Sequence, residues 1–190
     1  MKRNYLLLIS LFLLTIISCS APSPSPNNNP FANSPVEVVP WEQLIETLPE
    51  DQEVSGWSAM EPKGETTDVS QALPTSDQQI SLKFTKVENE YWNADEYVRV
   101  TIIDTSFLLI YTQAWNIKVD RESSSGYTRS TEINGQPAFE EWNSASEQGT
   151  ITMFVGERML VEVSGMMGVD IDTVRQFAEA VDVDEILLLI

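Results

Sequence analysis

Apolar and polar residues alternate over two stretches near the middle of the chain. Ile80, Leu82 and Phe84 are separated by Ser81 and Lys83, and Val98, Val100 and Ile102 by Arg99 and Thr101. A period of two sends successive side chains to opposite faces, so each stretch predicts a half-buried strand. Glu88 to Glu96, which holds Asn89, Asn93 and Asp95, reads as the connection between them. Upstream, Gly56 to Met60 starts the sheet, and the polar run Glu61 to Asp77, with Pro62, Gly64 and Pro74, reads as a loop. After a further loop, Asp120 to Gly126, come four strand-like runs: Tyr127–Ile133, Ala138–Trp142, Thr150–Val155 and Met159–Val163. Asn134 and Gly135 separate the first two, and both residue types accept positive φ, which is a strong hairpin signal. These runs predict a C-terminal four-strand antiparallel meander.

A helical period appears in three other places. Trp41, Leu44, Ile45 and Leu48 recur at i, i+3, i+4 and i+7, between Pro40 and Pro49. Asp104, Thr105 and Ser106 are N-cap types placed before Phe107, Ile110, Tyr111 and Ala114, which predicts a helix from Ser106 to Trp115. Val174, Phe177, Ala178 and Val181 form the stripe of a last helix that Asp170 or Asp172 can cap, and the apolar tail Leu187 to Ile190 is expected to dock on the core. The fold class expected for residues 36–190 is therefore α+β: an antiparallel sheet of about six to seven strands covered by helices. This layout resembles the PsbP-like α/β/α sandwich, a likeness of layout without a diagnostic motif.

The N-terminus follows another pattern. Lys2 and Arg3 precede an apolar run from Leu6 to Ile17 that only Ser10 and Thr15 interrupt, and Ser18-Cys19 follows. A basic segment, a short apolar core and a small residue before the cut describe an export signal, here residues 1–18. The run is shorter than the roughly 20 residues an ordinary spanning helix needs. Ile16-Ile17-Ser18-Cys19 resembles the lipobox of bacterial lipoproteins. The resemblance implies a thioether-linked lipid on Cys19, cleavage before it and acylation of the new amine. It also implies attachment to the cell envelope, and Ser20 rather than Asp resembles the pattern that permits an outer-membrane destination in a two-membrane cell. One acyl chain holds a protein only marginally, whereas two or more hold it stably. Residues 19–35 then read as the lipidated Cys and a disordered Pro/Ser/Asn tether. Far downstream, Val155 to Gly165 resembles the strand-turn-strand close of small bacterial lipoproteins, which implies no activity.

Composition narrows the chemistry. Without Lys2 and Arg3 there remain 9 basic residues against 29 acidic, a formal charge of about −20. That balance argues against nucleic acid as a partner, because too few cations are present to displace phosphate counterions. Cys19 is the single cysteine and histidine is absent, so no intramolecular disulfide forms and no imidazole base or ligand exists. Carboxylate, Lys and Tyr chemistry remain. Asp170 with Asp172, and Asp182 with Asp184 and Glu185, are clusters with oxygen ligands suited to calcium. They lack the rest of an EF-hand loop and equally suit helix N-termini, so no metal or other cofactor is expected. Glu140, Glu141 and Glu157 are the acids from which a glycosidase pair would be drawn.

Tyr91 and Trp92 stand apart from the other rings, because they fall in the expected connection among polar and acidic residues. They are the candidate binding residues: exposed aromatics rimmed by charge mark contact sites. The favoured function is a membrane-anchored envelope domain, non-enzymatic, that binds a protein or small ligand. The alternatives are a carboxylate-based hydrolase or metal-dependent enzyme, and a structural envelope component.

Overall fold

The computed structural model describes residues 37–72, 79–105 and 117–190. Among them, in chain order, are α1 (Trp41–Ile45), β1 (Ser58–Ala59), β2 (Lys63–Ala72), β3 (Gln79–Asn93), β4 (Glu96–Thr105), β5 (Asp120–Ser123), β6 (Gly126–Ile133), β7 (Gln136–Asn143), β8 (Gln148–Val155), β9 (Met159–Met166), α2 (Ile171–Ala180) and α3 (Val183–Leu189). The expected export signal and tether, and the helix expected from Ser106 to Trp115, lie outside the described residues.

The strands form one antiparallel sheet in the order β1-β3-β4-β9-β8-β7-β6-β5. β2 shares an edge of β3 with β1: it pairs with Gln79–Glu88, and β1 pairs with Tyr91 and Trp92. The meander β6 to β9 is present, and its Asn134-Gly135 turn has φ of 48° and 72°, the pair of positive values the residue types allow.

Among the described residues nine strands replace the six to seven expected, because two segments read as loops are strands. β2 has almost no apolar alternation, but backbone pairing does not need it. Its β-branched Thr66 meets Thr85 across the ladder, hydroxyl to hydroxyl at 3.0 Å. β5 is exposed at all four positions and lies at the sheet edge, where no side of the strand demands apolar residues.

The core lies on one face. Val87, Tyr91, Val98, Val100, Ile102, Ile151, Met153, Val161 and Val163 point into it from the central strands. The helices lie on that same face, and α2 contributes Val174, Phe177 and Ala178. Gly149 and Gly165 are opposite one another on β8 and β9. A Cβ on Gly165 would fall 2.6 Å from Val174 Cγ2, so the paired glycines are what lets α2 sit close to the sheet. The three helices are 5, 10 and 7 residues long. A sheet covered by helices is thus too strong a description, and the α/β/α layering of a PsbP-like sandwich does not appear among the described residues. The tail docks only in part: Leu189 packs against the core, whereas Leu187, Leu188 and Ile190 remain exposed.

Candidate binding surface

β3 does not end where the polar residues begin. It continues through Glu88 to Asn93 and turns tightly at Ala94, φ 52°, into β4. The expected connection is therefore strand, and alternation separates the two nominated rings. Tyr91 points to the helical face and is only 1 % exposed. Its ring lies 4.8 Å from that of Phe177, which meets Trp57 edge-on at 5.3 Å. Its hydroxyl donates to the carbonyl oxygen of Pro49 at 2.7 Å. Burial pushes the phenol well above its ordinary value. Tyr91 is a core residue, and its assignment to an exposed binding pair is corrected.

Trp92 points the other way and is 36 % exposed. Its ring stacks on Tyr97, its register partner, at 4.9 Å and 23°. Tyr97 in turn stands opposite Met166 on β9, whose sulfur accepts its hydroxyl. Ser58, Trp92, Tyr97 and Met166 thus form one row across four strands. The next row holds Glu90 and Arg99, joined at 2.6 Å, with exposed Met60 beside Glu90, to whose carbonyl oxygen the Met60 N–H donates at 2.8 Å. Arg99 also lies 5.9 Å from the Tyr97 ring. The Glu90 carboxylate raises the Arg99 pKa, while Lys86, bonded at 2.6 Å, lowers that of Glu88. Met60, Glu61, Lys63, Glu88, Asn89 and Glu90 line a shallow groove of about 210 Å³ along this edge. Exposed Asn93, Ala94 and Asp95 rim the rings.

The site therefore keeps Trp92 and exchanges Tyr91 for Tyr97. The signal that would have found Tyr97 is the β alternation itself, carried through Glu88 to Asn93 and across a two-residue turn.

The acids nominated for hydrolysis do not converge. Glu140 is fully buried on the helical face, where Arg129 reaches it at 2.5 Å, Arg175 descends from α2 and the Tyr127 hydroxyl donates to it at 2.8 Å. Glu141, its neighbour on β7, is exposed on the opposite face and accepts from Thr128 at 3.2 Å. Glu157 lies in the β8–β9 turn. Asp170 caps α2 by accepting from the Thr173 N–H, and Asp182 caps α3 by accepting from that of Glu185. Asp104 caps nothing among the described residues: it is buried in β4 and paired with Arg158. Among the described residues no group of three or more acidic side chains is placed to hold a metal ion.

A second concavity, about 360 Å³, open and polar, lies at the β5–β8 end of the sheet, with Arg121, Thr128, Glu141, Asn143, Gln148 and Thr150 in its lining.

No family model, no curated protein and no solved structure matches the chain.

Proposed function

We propose that this chain is a lipid-anchored protein of the bacterial cell envelope whose domain captures a basic partner through the Trp92–Tyr97 platform and performs no catalysis. The observation that carries the reading is a stacked aromatic pair left partly open on a sheet face, with acidic residues around it. Rings held in place by the sheet lose little freedom on binding, and such residues dominate contact energies. Exposed Asp95, in the turn beside the pair, favours a Lys- or Arg-rich segment, whose cations can lie over the ring of Trp92. Glu37 supports the same arrangement. It is held by Arg158, in the turn at one end of β9, and the platform is at the other end beside Met166. The eight residues of β9 span roughly 25 Å, so the platform is displaced from the end at which the chain arrives from Cys19. In a two-membrane cell the reading places the domain on the outer membrane, facing the periplasm or the surface.

Two measurements test it. Cys19→Ser should leave the protein unprocessed or release it from the membrane fraction, and normal processing with membrane retention refutes the anchor. Titration of the full chain with a Lys/Arg-rich peptide should show binding that weakens as salt rises, and Trp92→Ala with Tyr97→Ala should reduce the affinity at least tenfold. Equal affinity in the double variant removes the platform from the proposal.

A further inference from the structure

We propose that the apolar end of α3 is a second membrane attachment, resting in the lipid surface beside the point where the chain arrives from Cys19. The inference rests on the lipid-anchor reading above. Leu188 is 81 % exposed, and Leu187 and Ile190 are each 40 % exposed, on a helix whose Val183 and Ile186 are buried in the core. Leu187 and Ile190 lie against Gly156, and Leu188 is carried between them on the packed helix. Gly156 is in the turn between β8 and β9, which locates them. Arg158, two residues on, donates to the carbonyl oxygen of Glu37 at 2.5 Å and to Asp104, whose carboxylate also accepts the Val39 N–H. The first described residues and the exposed leucines therefore share one end of the domain.

A membrane-bound lipid on Cys19 is separated from Glu37 by only 17 intervening residues, so it holds this end near the bilayer at a high effective concentration. Under that condition a contact too weak to bind alone is populated. The chemistry fits neutral lipid. The side chains of Leu187, Leu188 and Ile190 carry no charge, and the nearest acids on α3, Asp184 and Glu185, lie one turn before Leu188. The acidic protein is repelled by anionic headgroups, so anionic lipid should weaken the contact.

Hydroxyl-radical footprinting of the full lipidated chain in phosphatidylcholine vesicles tests this, with the Cys19→Ser chain in dilute solution as reference. Labelling of Leu187 and Leu188 should fall about fivefold or more on vesicles, while that of Met167, exposed at the opposite end, should not change. Leu188→Asp should restore labelling at Leu187 without releasing the protein. If the chain floats with vesicles only when Cys19 is present, yet Leu188 stays as reactive as in solution, the attachment is overturned and the anchor stands. If a Cys19→Ser chain that also lacks residues 1–18 floats and Leu188 is protected, the attachment stands and the anchor is overturned. A chain that does not float overturns both. Protection already present in dilute solution means that the chain covers its own helix, and protection that grows with protein concentration means that a second copy does. Either result overturns the lipid contact.

Discussion

Arg158 grips Asp104 with two hydrogen bonds of 2.7 Å, one from Nε and one from Nη2. The carboxylate is fully buried and the guanidinium nearly so. The Val39 N–H adds a bond of 2.6 Å. This fork joins β4, the β8–β9 turn and the first described residues. Removing the cation leaves a buried carboxylate that keeps, among the described residues, one backbone donor. Arg158→Met should therefore cost about 3–5 kcal/mol. Urea unfolding reads this, and a loss below about 1 kcal/mol would mean that water reaches Asp104.

The Glu140 cluster predicts an asymmetry. Glu140 is fully buried, but Arg129 is half exposed and Arg175 about a quarter exposed. Either guanidinium can turn to water if the acid is lost, whereas the acid cannot if the guanidiniums are lost. Glu140→Gln should thus cost under about 2 kcal/mol, and Arg129→Met with Arg175→Met over about 3 kcal/mol. Equal losses in the two variants would refute the asymmetry.

Tyr91 predicts a dependence on alkaline pH. The folded phenol keeps its proton above the ordinary value of 10.0, chiefly because burial penalises the phenolate. The unfolded chain releases that proton near pH 10, so the folded state holds more protons above it. The stability tied to this group is therefore complete below pH 10 and declines as pH rises beyond it. Tyr91→Phe lacks this decline but loses the bond to Pro49, about 0.5–1.5 kcal/mol. The two proteins should differ by that amount at pH 7 and converge above pH 10. A gap that stays constant to pH 11 would show that the phenol is not buried in solution.

The parts of the fold legible in the sequence are those where one face is dry and the other wet. Val98, Val100 and Ile102 alternate because the sheet has a core side there, and Ile102 is fully buried as that pattern implies. The stripe of α2 and its Asp170 cap were readable for the same reason. β2 and β5 were not, since an edge strand is held by its backbone and leaves no apolar rhythm. The site was half legible. Glu88 to Asn93 is polar on one face and carries Asn89 and Tyr91 toward the other, so composition suggested a loop where pairing with β4 makes a strand. Trp92 was singled out correctly as exposed, but its neighbour in space is its partner across the ladder rather than its neighbour in sequence. The buried pair of Asp104 left no local signal, because Arg158 comes from 54 positions away; for Glu140 only Arg129, its register partner across the β6–β7 hairpin, is near in sequence, and Arg175 comes from 35 positions away.

The stacked pair itself is open to a double-mutant cycle. Trp92 and Tyr97 are register partners with rings 4.9 Å apart. Offset aromatic pairs contribute about 0.5–1.5 kcal/mol beyond their burial. Trp92→Ala and Tyr97→Ala should therefore each destabilise the domain modestly, and the double variant by less than the sum, with a coupling in that range. Tyr97→Ala also removes the surface beside Arg99, so Arg99→Gln in both backgrounds separates the cation's share from the stack. A coupling near zero between Trp92 and Tyr97 would mean that the rings do not rest on one another in solution, and the platform would lose its preorganised geometry.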